Sequence, residues 1–225
     1  DDGSTDPKTQ ATLSLLEKTK LNVEVFRFPP GGSGSASRPR NKGLELTQTP
    51  YVTYLDPDNE QVNDTYIRLL DRVKDTGADF AIGNMVRFKG KRNRINNSKE
   101  LKKAIAKSAA LDGNNADLLE KLGFKPMSIQ ALVADTAWLK SLNLEQPVGA
   151  VGQDSYFFQQ MLYYARKVSI TSRAEHIYYA EISTSTVNAI SPKYYRKYLP
   201  LEEDRAKWLE EVGLLRAYQE DRFTQ

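Results

Sequence analysis

The strongest constraint on the fold is an uninterrupted run of strand, helix and strand patterns between residues 51 and 86. Aromatic and β-branched residues are concentrated in Tyr51–Leu55, which favours a strand. Apolar residues recur at helical spacing over 63–76, and 79–86 returns to a strand pattern. Strands that alternate with helices usually form a parallel sheet covered by helices on its faces. The chain is therefore predicted to be an α/β protein with a mostly parallel sheet.

Two carboxylates, Asp56 and Asp58, directly follow the first of these strands. In parallel sheets, ligands bind beyond the carboxyl ends of the strands. Mg²⁺ and Mn²⁺ prefer oxygen ligands and are often completed by substrate phosphates. The pair is therefore a candidate site for a metal-bound phosphate group. Taken alone, the same Asp-Pro-Asp sequence is more typical of a solvent-exposed turn.

A third carboxylate, Asp154, begins an amphipathic helix that is predicted from residue 153 onward. A carboxyl group beside an apolar wall has a raised pKa, and this suits a general base. An acid in the first turn that complements the helix dipole is the alternative.

A Gly- and Ser-rich segment at 29–35 leads into two arginines, Arg38 and Arg40. Exposed amides and guanidinium groups bind phosphate well, so this segment is a candidate anion site. No Gly-Lys-Ser/Thr sequence follows it, which excludes a Walker motif. By itself such a segment is more often a flexible loop than a site.

The composition excludes several classes of protein. The chain of 225 residues has no cysteine and a single histidine, His176, which is expected to be structural. Disulfides and thiolate zinc sites are thus excluded. The net charge of +3 is too small for a dedicated nucleic-acid-binding protein, although nine basic residues and one acid lie within 87–107. That basic segment suits a polyanion, an acidic membrane surface or merely a solvated helix face.

The rest of the chain is predicted from local patterns. The expected elements are a helix after Asp6, a strand at 23–28, two short strands at 168–171 and 176–180, a helix from Ser191-Pro192, and a last helix carrying Trp208, Val212 and Leu215.

Four motifs follow one another in the order of a known family: Asp1–Asp6, Ser37–Leu44, Tyr54–Asn59 and Gly152–Asp154. Together, over about residues 1–190, they resemble glycosyltransferase family 2. The resemblance implies the Rossmann-like GT-A fold and transfer of a sugar from a nucleotide sugar with inversion. The Gly-Ser-rich run before Arg-Pro-Arg-Asn is similar to bacterial transferases that decorate wall teichoic acid. Related enzymes glycosylate bacterial surface adhesins.

The resemblance also implies roles for individual residues. The implied donor is a UDP-sugar, with Mn²⁺ or Mg²⁺ as cofactor and a glycan, glycoprotein or teichoic-acid-type acceptor, so that the enzyme is a hexosyl- or N-acetylhexosaminyl-transferase. The implied roles are uracil recognition for Asp2, nucleotide binding for Arg40 and Asn41, the DxD pair for Asp56 and Asp58 with Asp58 on the metal, the catalytic base for Asp154, and closure over the phosphates for Ser185.

The sequence departs from the family pattern at three positions near these motifs. Asn59 replaces a frequent Asp, Gln153 replaces a Glu, and Ala180 stands where many members carry Arg. The family's first strand would precede Asp1, so we expect a sheet whose first strand is missing from the printed sequence. We expect a GT-A domain at 1–190 and a helical extension at 191–225.

Two other functions remain open at this point. One is a catalytically weak domain that binds a glycan or polyanion for a larger enzyme, and the other is a DxD metal-dependent nucleotidyltransferase. No nucleic acid is expected as a partner. No apolar run approaches the roughly 18 residues that span a bilayer. The expected location is therefore the cytoplasm, and peripheral contact with the inner face of a membrane or with another subunit is left open.

Overall fold

The computed structural model describes residues 1–180 and 191–223. The helices in these ranges are α1 (Pro7–Thr19), α2 (Ser37–Leu46), α3 (Thr65–Thr76), α4 (Asn97–Ile105), α5 (Ala116–Lys121), α6 (Thr136–Ser141), α7 (Gln153–Tyr164), α8 (Pro192–Glu211) and α9 (Leu215–Phe223). The strands are β1 (Tyr51–Val52), β2 (Glu60–Gln61), β3 (Phe80–Lys89), β4 (Lys91–Ile95), β5 (Leu132–Asp135) and β6 (Val168–Tyr179).

The described strands form one mixed sheet in the order β1-β5-β3-β6-β2, with β4 paired to β3. Only β3 and β6 run parallel, whereas the other pairs are antiparallel. The α/β class is thus confirmed, but the sheet is less parallel than expected. The β3–β4 hairpin turns at Gly90, whose φ of 62° suits a tight turn. Such a short connection permits only antiparallel pairing, and a helix-containing connection, like the one before β5, permits either direction.

Several local predictions are confirmed. Helix α1 begins after Asp6, whose carboxylate accepts a hydrogen bond from the Thr9 amide at 2.7 Å. Helix α3 ends at Gly77, which adopts the left-handed conformation with φ 61°. Helix α7 begins at Gln153 as expected, and it buries Phe157 and Phe158.

The predicted strand at 23–28 is wrong, because the structure contains no strand there. The Val23 amide donates to the Lys20 carbonyl at 3.2 Å, which closes a local turn. Across the chain the segment faces Asp1, whose amine donates to the Phe26 carbonyl at 2.7 Å and whose carbonyl accepts from the Phe28 amide at 3.0 Å. One opposing residue is too little for a ladder of strand hydrogen bonds.

Two further predictions are corrected. The two short strands expected after residue 167 are one strand, β6, with an irregularity where Ile82 pairs with Ile170 but Asn84 pairs with Ala174. The polar sequence at this bulge resembles a turn, although the strand resumes beyond it. Trp208 lies on the long helix α8 and not on the last helix, because no break separates it from Pro192.

Helices α8 and α9 share their apolar core with the rest of the protein. Their buried residues belong to the same cluster as the α7 aromatic residues: Leu201, Trp208, Leu209, Leu214 and Tyr218 with Phe157 and Phe158. Within residues 1–180 and 191–223, no helix combines the length and the apolar character that crossing a membrane requires.

The register of the sheet brings the loop after β1 and the segment before β5 to one edge of the sheet. Val52 and Phe80 both pair with Ala134 of β5, which runs antiparallel to their strands. The segment before β5 therefore lies beside the loop that follows β1, and the Thr53 hydroxyl donates to the Leu132 carbonyl there at 2.6 Å. This edge carries the candidate site.

Candidate active site

A cleft of about 810 Å³ opens at this edge of the sheet. Small-molecule sites commonly have volumes of this order. Its walls come from the Gly-rich loop, the loop after β1, the segment before β5, the first turn of α7 and one side of α8, represented by Gly34, Asp58, Ser128, Asp154 and Tyr198. Three of the predicted site carboxylates and Arg40 therefore lie in or on one cleft.

Arg40 holds Asp56 in place. Its Nη2 donates to both carboxylate oxygens of Asp56, at 2.6 and 2.8 Å, and its Nη1 contacts the Gln146 side chain at 3.3 Å. The Arg40 side chain is only 11% exposed. A charge-assisted contact that is this well shielded from solvent orients both groups firmly. Arg40 thus couples α2 to the Asp56 loop at the cleft.

Asp58 differs from Asp56 because no described residue pairs with its carboxylate. The turn between them is closed by a hydrogen bond from the Asn59 amide to the Asp56 carbonyl at 3.0 Å. Asp58 is exposed and lines the cleft, and in the described part of the chain it has no hydrogen-bond or ion-pair partner. The structure thus leaves this carboxylate available to a ligand.

The donor set fits a metal that arrives with its substrate. Among the described residues, no three His, Cys, Asp or Glu side chains are grouped to hold a metal ion. Mg²⁺ and Mn²⁺ are commonly bound by one or two carboxylates together with substrate phosphates. The free Asp58 carboxylate suits that kind of site, and the rest of the coordination would come from a diphosphate and water.

Asp154 is half-buried in the first turn of α7, two residues after Gly152 with φ 84°. Burial raises the pKa of its carboxyl group above the ordinary value of 3.8. The charge of Arg40 and a hydrogen bond from Ser128 lower this pKa in part, and the charge of Asp56 raises it further. A carboxylate whose pKa is shifted toward neutrality is suited to accept a proton.

Asp2 does not line the cleft but supports the loop that does. Its carboxylate accepts from the Ser33 amide at 2.6 Å, the Ser33 hydroxyl at 2.8 Å and Arg38 Nε at 2.8 Å. Burial raises the pKa of Asp2, but these partners outweigh it and leave the pKa below its usual value. The Arg38 guanidinium in turn lies 4.4 Å from the centre of the Phe28 ring.

Asn41 is likewise outside the cleft. Its side-chain nitrogen donates to the Gln146 carbonyl at 2.9 Å, and its oxygen accepts from the Gln146 amide at 2.9 Å. Both polar atoms of the Asn41 side chain thus bind the chain near residue 146 to α2. Ser185 and the surrounding 183–186 segment lie outside the described residues.

Other residues that line the cleft were not predicted from the sequence, among them Ser128, Gln130 and Tyr198. Gln130 is the most unusual of them, since it is 2% exposed and neither polar atom of its amide group has a hydrogen-bond partner in the part of the chain that the structure describes. The signal that points to it is a polar residue inside the otherwise apolar run from Ile129 to Ala134.

His176 lies fully buried on β6 below the Asp56 loop. The Tyr66 hydroxyl accepts from the Ala131 amide at 3.0 Å and is hydrogen-bonded to His176 Nδ1, 3.0 Å away. Burial lowers the pKa of His176 to about 4, although the charge of Asp56 acts in the opposite direction. The histidine is thus a neutral structural residue whose ring supports the floor of the site.

This buried histidine predicts a pH-dependent stability. In the folded protein the ring stays neutral down to about pH 4, whereas the unfolded chain takes up the proton near pH 6.5. The unfolded state thus binds more protons between these values, so stability falls as the pH falls, by about 2 kcal/mol between pH 7 and pH 5. Urea unfolding of the wild type and of His176→Gln at both pH values measures this. Equal losses in the two proteins would contradict it.

The basic segment forms an exposed rim beside the cleft. It comprises the β3–β4 hairpin and α4, and Ile95 and Asn97 between them line the cleft itself. Two of its cations are already engaged, because Arg94 donates to the Ser172 carbonyl and Lys102 contacts the Ser172 hydroxyl at 3.1 Å. Lys91 and Arg92 at the tip of the hairpin remain exposed.

A model of glycosyl transferase family 2 matches residues 1–126, which is more than half of the chain. The chain belongs to glycosyltransferase family 2. An uncharacterized glycosyltransferase of Haemophilus influenzae is 42% identical over 64 residues, which are 28% of this chain and 24% of that protein.

Solved structures of S. aureus TarS (residues 1–349) share the fold of this family member. The complex with UDP-GlcNAc superposes with a TM-score of 0.67 at 18% identity, over 100% of this chain and 62% of that one. The complex with UDP gives a TM-score of 0.64 at 18% identity, over 100% and 61%. The expected GT-A architecture is thereby confirmed. The chain spans about three fifths of these TarS structures and about a quarter of the Haemophilus relative.

Proposed function

We propose that this glycosyltransferase moves a sugar from a UDP-sugar to a hydroxyl group of a glycan, glycoprotein or teichoic-acid-type acceptor, with inversion at the anomeric carbon. The observation that carries the proposal is the cleft itself, which combines a carboxyl group of raised pKa, Asp154, with the free carboxylate of Asp58 and the Arg40–Asp56 pair. The UDP and UDP-GlcNAc complexes of TarS support UDP as the nucleotide of the donor.

At the donor end, Asp58 would hold Mn²⁺ or Mg²⁺ together with the diphosphate. When bound, such an ion offsets the negative charge that develops on the leaving diphosphate. Arg40 orients Asp56 and adds positive charge to this side of the cleft. We propose that Asp2 recognises the uracil and that Asn41 belongs to the nucleotide site, while their side chains also position the Gly-rich loop and the chain near Gln146. For Ser185 we propose a role in closing the site over the diphosphate.

At the acceptor end, the Asp154 carboxylate takes the proton of the acceptor hydroxyl. The acceptor oxygen attacks the anomeric carbon from the side opposite UDP, and the bond between that carbon and the β-phosphate oxygen breaks. UDP leaves with the bonding electron pair, and a single displacement of this kind inverts the anomeric configuration. The raised pKa of Asp154 supports this role because a stronger base accepts the proton more readily.

We propose residues 1–190 as the transferase domain and 191–225 as its helical extension. Within the described residues, α8 adds a wall to the cleft: Tyr194 and Tyr198 line it, and their rings stack with centroids 5.8 Å apart. The Lys197 carbonyl also accepts from the Val151 amide at 3.3 Å, just before α7. The extension would thus face the acceptor as it approaches Asp154.

The test follows the products of the reaction. The protein is incubated with Mn²⁺ and UDP-glucose, UDP-galactose or UDP-GlcNAc, and the release of UDP is measured with and without glycan acceptors. Metal-dependent release of UDP supports sugar transfer, and the donor that is used separates hexosyl from N-acetylhexosaminyl transfer. Release of pyrophosphate would instead indicate a nucleotidyltransferase. A folded protein that binds glycans but neither binds UDP nor releases it would contradict the proposal.

A further inference from the structure

Gln130 breaks a general rule of protein interiors. Buried amide groups almost always have hydrogen-bond partners, because an unpaired buried donor or acceptor carries a desolvation cost. Gln130 is 2% exposed, yet within residues 1–180 and 191–223 neither its Oε1 nor its Nε2 has a hydrogen-bond partner. Other buried side chains have unpaired atoms too, but Gln130 has a complete carboxamide without a partner and lines the cleft.

Hydrogen bonds of the neighbouring backbone fix the position of Gln130. The Gln130 amide donates to the Ser128 hydroxyl at 3.2 Å, and the next residue, Ala131, has a positive φ of 57°. Ala131 is anchored on both sides, since its amide donates to the Tyr66 hydroxyl at 3.0 Å and its carbonyl accepts from the Gly83 amide at 2.9 Å. A non-glycine residue in this conformation is uncommon and tends to occur at functional sites.

The neighbours of Gln130 define which part of a ligand would reach it. Ser128, two residues earlier, acts on the pKa of Asp154 through a hydrogen bond. Asp58 and Asn59 line the same cleft, and the Asn59 side-chain oxygen is also buried and unpaired. Gln130 thus lines the same cleft as the proposed base and the proposed diphosphate side. The group transferred between them is the sugar.

We infer that Gln130 selects the sugar of the donor by binding two neighbouring hydroxyl groups of its ring. This inference rests on the proposed function. A carboxamide presents one acceptor and one donor side by side, and two adjacent hydroxyls offer the complementary donor and acceptor. An N-acetyl group is a poorer match, because the N–H and C=O of a trans amide point in opposite directions. The unpaired amide is thereby satisfied only when a sugar is bound.

The test separates a sugar contact from a structural role. Gln130→Leu removes two unpaired polar atoms from the interior, so we expect its melting temperature to equal or exceed that of the wild type. Its affinity for UDP-glucose, UDP-galactose or UDP-GlcNAc in Mn²⁺, whichever the wild type binds, is expected to fall about tenfold. Its affinity for UDP itself is expected to stay within about twofold. Calorimetric titration gives both affinities, and Gln130→Met is a second variant of similar length.

Thr136→Val is the matched control. Its hydroxyl is also buried and unpaired, but it lies outside the cleft lining, so both affinities are expected to remain unchanged. Equal losses of UDP and UDP-sugar affinity in the Gln130 variants, or no loss of either, would overturn the inference and leave the proposed function standing. A wild type that bound no UDP would defeat the proposed function as well, and the two failures are thus distinguishable.

Discussion

Asp154→Asn is expected to lower kcat for sugar transfer by about a hundredfold to ten-thousandfold. The substitution preserves the size of the side chain in the first turn of α7 but removes the group that accepts the proton. Because the donor is bound mainly from the Asp58 side of the cleft, the affinity for UDP in Mn²⁺ should change little. Initial rates of UDP release in the presence of acceptor, together with calorimetric titration of UDP, measure the two effects separately.

The pH profile supplies a second readout for Asp154. Only the ionised carboxylate accepts a proton, so kcat should rise with pH through the pKa of this group. Burial raises that pKa above 3.8, and the acid limb of the profile should therefore lie above the ordinary range of an aspartate. The limb should disappear in Asp154→Asn. Asp117→Asn, the same change in the first turn of α5, is the control. Retention of more than about a tenth of the activity in Asp154→Asn would exclude Asp154 as the base.

Asp58→Ala is expected to abolish the metal-dependent part of UDP binding, at a cost of about a hundredfold or more in affinity in Mn²⁺. The carboxylate is exposed and, among the described residues, unpartnered, so its removal should leave the free energy of unfolding within about 0.5 kcal/mol of the wild type. A loss of binding without a loss of stability is the signature of a ligand-binding group. Titration of UDP with and without Mn²⁺, and urea unfolding, measure the two quantities.

Asp64→Ala is the control for this second experiment. Asp64 is exposed, lies close to Asp58 in the sequence and does not line the cleft. Its substitution therefore removes the same charge without changing the site. Its UDP affinity should match that of the wild type with and without Mn²⁺. If Mn²⁺ strengthened UDP binding to Asp58→Ala as much as to the wild type, Asp58 would not be a metal ligand.

Several features of the site were predictable because neighbouring residues determine them. The turn after β1 follows from Asp56, Pro57 and Asp58, which are residues that favour turns. The start of α7 follows from Gly152 and the apolar spacing beyond it, which puts Asp154 in the first turn. Capping and turn preferences act over a few residues, so they can be recognised in one sequence.

The pairings that give these residues their environment were not predictable in the same way. Asp2 is bound to Ser33 and Arg38, and Asn41 is bound to Gln146, over separations of up to 105 residues. The contact of each with the nucleotide stays a prediction. Their polar groups are bonded here to distant parts of the chain, and no local pattern encodes those pairings.

Local pattern alone thus determined the α/β class, the turn that carries Asp56 and Asp58, and the helix that begins beside Asp154. Tertiary structure decided the mixed strand directions, the raised pKa of Asp154 and the unpaired amide of Gln130. The physical reason is the range of the interactions. Turns and helix starts depend on residues a few positions apart, whereas burial and desolvation depend on segments that meet only when the sheet has formed.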